Sequence, residues 1–188
     1  VCGNFNSLPL ILTLGVGISY FGLGFFDDYQ KVMKKNTKGI SAKGKLLWQF
    51  GTALVIAWCF THFDIIKTDF YLPFIKGPVW DWGILFYFFC SLVIVGSSNA
   101  VNLTDGLDGL AIVPVITSAN SLGIICYLSG HKTFSGYLFI PHAEDLGELA
   151  ILACSMAGAG IGFLWYNSYP AEIFMGDVGS LSLGGLLG

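Results

Sequence analysis

Leu8-Pro9-Leu10-Ile11-Leu12-Thr13-Leu14-Gly15-Val16-Gly17-Ile18-Ser19-Tyr20-Phe21-Gly22-Leu23-Gly24-Phe25-Phe26 runs without a charge and then meets Asp27-Asp28. About 20 mainly apolar residues cross a hydrocarbon core, so the stretch predicts a membrane-spanning helix. Apolar runs near 46–63, 82–98, 109–129, 148–166 and 177–188 follow the same pattern, the last too short to cross. The fold these runs predict is an all-α, polytopic helical bundle with about six spans. The acids follow a pattern of their own. Asp27 and Asp28 close the first span, Asp105 and Asp108 lie between the third and fourth, and Glu172 and Asp177 precede the sixth. A charge in the bilayer costs about 2.5–3.5 kcal/mol on insertion scales. Acids gathered at one end of the spans therefore point to a shared polar site, suited to a metal ion and phosphates.

Composition agrees. Apolar residues make up 54% of the chain and charged residues 11%, against about 25% in soluble domains. Mean hydropathy is +0.71. The chain opens on Val1 and stops at Gly188 within a Gly-rich apolar run. We read residues 1–188 as one integral membrane domain, truncated at both ends, of a longer polytopic protein. No signal peptide is visible at the N-terminus.

Lysine sets the expected orientation. Lys31, Lys34, Lys35, Lys38, Lys43 and Lys45 fall in the loop after the first span, and the chain has no Arg. The positive-inside rule places that loop in the cytoplasm. Alternation then puts 99–108 and 167–176 inside and 64–81 and 130–147 outside. The Lys cluster sets topology and could also attract anionic substrate or lipid. His62, His131 and His142 map to the outer side, away from the acids. Cys2, Cys59, Cys90, Cys126 and Cys154 form no CxxC, so they read as apolar fillers rather than disulfide or zinc ligands. Tyr71, Trp80 and Trp82 around Gly77-Pro78 predict a short interfacial hairpin. Gly158 and Gly162, with Ala157 and Ala159, predict a small-residue packing face.

Three segments carry the chemistry. In the first, Asp27 and Asp28 repel each other unless cations or donors lie near, and Lys31 follows Asp27 by one helical turn. A plain salt bridge at a helix end would also account for this set. The second holds Asn99, Asn102, Asp105 and Asp108 at every third position, with Gly106 after Asp105 and Gly109 after Asp108. Amides and carboxylates there suit hydrogen bonds to a sugar, a base or metal-bound water, and helix capping would use only one or two of them. In the third, Asp177 stands between Gly176 and Gly179, shortly after Asn167 and Phe174. An Asp at a helix start can hold a cation that bridges to phosphate, or simply cap the helix.

Together, Asp27-Asp28 with Lys31, Asn102-Leu103-Thr104-Asp105-Gly106-Leu107-Asp108-Gly109-Leu110-Ala111, and Phe174-Met175-Gly176-Asp177-Val178-Gly179-Ser180 resemble the polyprenyl-phosphate hexose-1-phosphate transferase family. The second and third motifs are closer to its muramoyl-pentapeptide branch than to its N-acetylglucosamine-1-phosphate branch. The resemblance implies a Mg²⁺-dependent enzyme of the bacterial inner membrane, its active site facing the cytoplasm. Its substrates would be UDP-MurNAc-pentapeptide and undecaprenyl phosphate, with UMP released. It implies Asp177 as principal Mg²⁺ ligand, Asp27 as the acid handling the lipid-phosphate proton, and Asp28 in support. Asn102, Asp105, Asp108 and Asn167 would bind nucleotide-sugar or order the metal site. Phe174 would stack on uracil, beside Asp108 and the Gly106-Leu107 backbone, unless it anchors in the membrane interface. Lys31, Lys35 and Lys43 would neutralise phosphate. A homodimer stays open, and no nucleic-acid partner is expected. The family's His-rich cytoplasmic motif would lie beyond Gly188.

UDP-GlcNAc is the alternative donor under this resemblance. The alternative from another class is an ion-coupled transporter, which predicts acids near the bilayer midplane and related halves. Neither feature is visible in the sequence.

Overall fold

Hydrophobic runs become helices here, and polar residues set where they stop. The computed structural model describes residues 3, 4, 6–33, 39–72 and 77–188. In chain order the elements are α1 (Leu8–Met33), α2 (Ala42–His62), β1 (Asp69–Phe70), β2 (Trp80–Asp81), α3 (Ile84–Thr104), α4 (Ile112–Gly130), α5 (Lys132–Leu138), a 3₁₀ turn (Glu144–Leu146), α6 (Gly147–Asn167) and α7 (Gly176–Leu187). Of the described residues, 74% are helical. α1, α3, α4 and α6 are long and apolar enough to cross a membrane, which makes this a multi-pass membrane protein.

Three helices extend further at the acid end than their apolar runs. α1 continues past Phe26 to Met33, so Asp27, Asp28 and Lys31 are helical, and their i,i+3 and i,i+4 ion pairs support the added turns. α2 begins at Ala42, capped by Ser41, whose hydroxyl accepts from the Gly44 N–H at 3.2 Å. α3 runs on to Thr104, which places Asn99 and Asn102 on a helix and leaves Asp105 as its C-cap.

The expected second span is the least apolar of the long helices. α2 is 21 residues long, yet it is not among the helices apolar enough to qualify as a span. Lys43, Lys45, Gln49 and His62 lower its hydropathy. It returns the chain from the acid end of α1 to the start of α3, tied to α1 by Ser19–Thr52 at 3.0 Å and to α3 by Thr61–Tyr87 at 2.9 Å.

α7 is the centre of the bundle. It packs against both α1 and α3, burying Ser180, Leu181, Gly184 and Gly185. Small residues permit that approach. A Cβ on Gly24 of α1 would collide with the Asp177 backbone and come within 2.7 Å of the Val178 Cα. A Cβ on Gly184 would sit 2.6 Å from the Ser98 Cα. α4 and α6 form a second closely packed pair.

That pairing corrects the expected small-residue face. Gly158 and Gly162 face open space. The contact runs instead through Ala119, Met156, Ala157 and Gly160, with Gly160 against Ile116. Away from the acids, β1 and β2 pair antiparallel, Asp69 opposite Asp81 and Phe70 opposite Trp80. Phe70 stacks on Trp80, as the expected hairpin requires, while its tip, residues 73–76, lies outside the described residues. Cys59, Cys90, Cys126 and Cys154 are unpaired thiols.

Candidate active site

The acid-bearing ends of α1, α2, α3 and α7 converge on one charged cluster. Asp27, Asp28 and Asp177 each present a carboxylate oxygen, and these oxygens lie within 4.8 Å of one another. Two ammonium groups reach into the same space. Lys31 Nζ is 2.6 Å from Asp27 Oδ2, 2.8 Å from Asp177 Oδ2 and 3.3 Å from Asp28 Oδ1. Lys45 Nζ is 2.8 Å from Asp27 Oδ2 and 3.0 Å from Asp177 Oδ2. Three carboxylates against two ammonium groups leave one negative charge uncompensated within the cluster.

Accessibility divides the acids. The Asp27 side chain is 1% exposed, that of Asp28 34% and that of Asp177 21%. Both Asp27 oxygens are engaged: Oδ2 by the two lysines, Oδ1 by the Ile40 N–H at 2.7 Å. Gly39 makes that last bond possible. Its φ of +53° suits glycine, and a Cβ there would strike the Asp27 carboxylate. Asp27 is thus placed to orient two cations, while Asp28 and Asp177 face outward.

Asp177 is held from α3. Asn102 Nδ2 donates to Asp177 Oδ1 at 2.8 Å and to Ser180 Oγ at 2.9 Å. Asp105 sits close by at the end of α3. Burial pushes its carboxyl above the ordinary value, and the neighbouring Asp177 charge adds to the rise, against a lowering pull from the Gly176 N–H.

The loop after α3 and the loop before α7 are stapled together. Asn167 is buried, its Oδ1 accepting from the Gly109 N–H at 3.1 Å and its Nδ2 donating to the Ile173 carbonyl at 2.8 Å. Asp108 Oδ2 accepts from the Ala171 N–H at 3.0 Å. The amide of Asn167 is thereby committed to shaping the loops, whereas Gly106 and Leu107 are exposed on the turn. Phe174 is 71% exposed and lines an open cavity of about 500 Å³ with Ile112, Met156, Phe163 and Leu183. Lys43 is exposed on the first turn of α2, outside the ion-pair cluster, and Lys35 lies outside the described residues. Lys45 occupies the place in the cluster that sequence reasoning gave to other lysines. No sequence signal marks it out from the other lysines of that segment, because its place depends on α2 starting at Ala42 and packing beside α1.

Three carboxylates offer hard oxygen ligands of the kind Mg²⁺ prefers, and the two ammonium groups offer charge to phosphate. The acids lie at one shared end of the helices, unlike the midplane arrangement of a transporter.

Comparison with known proteins agrees with this chemistry. The model of a family described as glycosyl transferase family 4 matches residues 10–188. A phospho-N-acetylmuramoyl-pentapeptide-transferase of Geobacter sp. (strain M21) is 55% identical over 177 residues, 94% of this chain and 49% of its own length. The protein of that name from Pelobacter propionicus is 51% identical over 186 residues, 95% of this chain and 49% of its own. That from Nitratidesulfovibrio vulgaris (strain DP4) is 48% identical over 177 residues, with 94% and 49% covered. The chain spans about half the length of the curated relatives it matches.

Proposed function

This chain belongs to glycosyl transferase family 4, and from that premise we propose that it forms part of an enzyme that transfers phospho-MurNAc-pentapeptide from its UDP derivative to a polyprenyl phosphate. An oxygen of the lipid phosphate attacks the sugar-bearing phosphorus of the UDP-sugar. The bond from that phosphorus to the bridging oxygen breaks, and UMP leaves with the electron pair. A lipid-linked sugar diphosphate remains. The observation that carries this reading is the convergence of Asp27, Asp28 and Asp177 with Lys31 and Lys45.

The residues fit Mg²⁺. Asp177 and Asp28, the more accessible carboxylates, would hold it, and Mg²⁺ would supply charge neutralisation for the diphosphate. Asn102 fixes Asp177 in orientation. Lys31 and Lys45 hold the buried Asp27 and present positive charge to phosphate oxygens. Asp27 then acts as an anchor for cations rather than as the group meeting the lipid proton, and a polyprenyl phosphate is already ionised at neutral pH, so a general base is not required. The site faces the cytoplasm of the bacterial inner membrane, where a soluble nucleotide and a lipid phosphate can meet.

The test is UMP release by the full-length protein supplied with Mg²⁺, a polyprenyl phosphate and either UDP-MurNAc-pentapeptide or UDP-GlcNAc. Release from the pentapeptide donor is expected. Release only from UDP-GlcNAc would move the protein to the other branch, and no release from either would overturn the reading.

A further inference from the structure

Below the acid cluster, the bundle interior holds a second polar group, buried except for the half-buried Asn99. Tyr20, Gln49 and Ser98 are each 0% exposed. Gln49 Oε1 accepts from Asn99 Nδ2 at 2.9 Å, and Gln49 Nε2 donates to Ser98 Oγ at 3.4 Å. Ser98 Oγ donates in turn to the Leu181 carbonyl at 2.9 Å, and the Tyr20 hydroxyl donates to the Gln49 carbonyl at 2.9 Å. α1, α2, α3 and α7 are thereby joined at one level. These are the four helices that deliver Asp27, Lys45, Asn102 and Asp177 to the cluster.

The spacing along each helix is short and regular. Gln49 follows Lys45 by four residues and Leu181 follows Asp177 by four, while Asn99 precedes Asn102 by three and Tyr20 precedes Asp27 by seven. A turn of helix is 3.6 residues, so each bonded residue lies one or two turns beneath its charged partner on nearly the same face. A rotation or slide of any one helix would break a bond below and misplace a charge above.

Packing does not require a carboxamide here. A leucine would fill nearly the same volume, and a buried amide is tolerable only because its partners satisfy it. Polar groups in an apolar interior can fix register, since few alternative arrangements satisfy them. We propose that Gln49 is a positioning residue: its side chain ties α2 to α3, within a network that Ser98 extends to α7 and Tyr20, through the Gln49 backbone carbonyl, extends to α1, and so sets the register in which Asp27, Lys45, Asn102 and Asp177 converge. It touches no substrate and acts through the helices it joins. The inference rests on the reading of the cluster as a Mg²⁺ and diphosphate site.

The experiment compares the full-length protein with Gln49→Leu, Asn99→Leu and the double variant. Three quantities are read: the melting temperature without Mg²⁺, its rise on adding Mg²⁺, and the Mg²⁺ concentration for half-maximal UMP release. Groups that orient metal ligands typically change affinity or activity by about 10–100-fold when removed. Gln49→Leu should therefore melt close to the parent without Mg²⁺, lose much of the Mg²⁺-induced rise and need about 10–100 times more Mg²⁺. The double variant should be no worse than Gln49→Leu, because both changes cut one linked unit. Turnover and Mg²⁺ requirement within about twofold of the parent would overturn the proposal. So would a lowered melting temperature with unchanged Mg²⁺ responses, the signature of a purely structural residue. If Gln49→Leu does not fold, Ser98→Ala cuts the link to Leu181 and is judged by the same three measurements. A parent that releases no UMP would overturn the proposed reaction, while the Mg²⁺-induced melting shift would still decide the role of Gln49.

Discussion

Asp177 combines partial exposure with more restraint than any ordinary helix-start carboxylate needs. Asn102 holds one of its oxygens, Lys31 and Lys45 hold the other, and Gly24 lets its backbone lie against α1. Asp177→Asn keeps the shape and loses the charge. It should nearly abolish UMP release by the full-length protein while its melting temperature stays close to the parent's; turnover within a few-fold of the parent at saturating Mg²⁺ would contradict its role. Phe174 is different, an exposed ring with an apolar cavity beside it. If it stacks on uracil, Phe174→Ala should weaken UMP and UDP-sugar binding together, by the ~1–3 kcal/mol typical of base–aromatic contacts. Equal loss for the lipid substrate would assign the ring to the membrane interface instead, a difference calorimetric titration resolves. Asp27, Asp28, Lys31, Asn102 and Asp177 could be singled out from sequence because charged and amide groups are scarce in an apolar chain. Lys45 and Gln49 could not, since their meaning depends on which helices touch. Asn167 and Asp108 were visible as polar residues, but their hydrogen bonds to Gly109, Ile173 and Ala171 exist only once two loops meet.

At the scale of elements, the spans were legible from hydrophobic length and their ends were not. Charged residues at the acid-side termini look like loop in a hydropathy reading, yet Asp–Lys pairs and the Ser41 cap extend α1 and α2 into that region. The centrality of α7 was hidden for another reason. A short Gly-rich run reads as a weak span, whereas in the bundle Gly184 lets it approach the α3 backbone and Gly24 of α1 lets the α1 backbone approach it. Close approach makes a sharp prediction. Gly24→Ala places a methyl against the backbone of Asp177 and Val178, where neither side can swing away. Overpacking of this kind costs about 1–3 kcal/mol. Thermal unfolding in detergent should show that loss, with reduced turnover because the displaced residue is the proposed metal ligand. Gly158→Ala, facing open space on α6, should leave both unchanged. A Gly24→Ala protein as stable and active as the parent would mean that α7 tolerates displacement and that its position does not set the site.

For the whole molecule, the decisive property is that the groups of the cluster all lie on one side of the bundle, Asp27 and Asn102 near the C-terminal ends of α1 and α3, Lys45 and Asp177 near the N-terminal ends of α2 and α7. α1 and α3 meet α7 running the opposite way: Gly24 and Asn102, near the ends of their helices, lie against its start, while Gly17 lies against Leu186 near its finish. Asp27, Lys45, Asn102 and Asp177 can then meet only if the loop after α1, the loop after α3 and the loop before α7 share one side of the membrane. His142 bonds the Ser129 carbonyl at the far ends of these helices, within the segment that carries Lys132. Lysine is concentrated on the acid side, and the positive-inside rule assigns that side to the cytoplasm. The prediction is made in a full-length protein whose own cysteines have been replaced, so that each introduced thiol is read alone. Single cysteines in place of Lys43 and Ser168, both exposed, should then be modified by a membrane-impermeant thiol reagent only after the cytoplasmic face is opened. A cysteine in place of Lys132, also exposed, should react in intact cells. Labelling of Lys43 and Ser168 from opposite faces would contradict the convergence of α1, α2 and α7, and with it the shared site. Labelling of both from outside would keep the site intact but turn it away from the compartment that holds soluble nucleotide-sugars, which the proposed reaction could not survive.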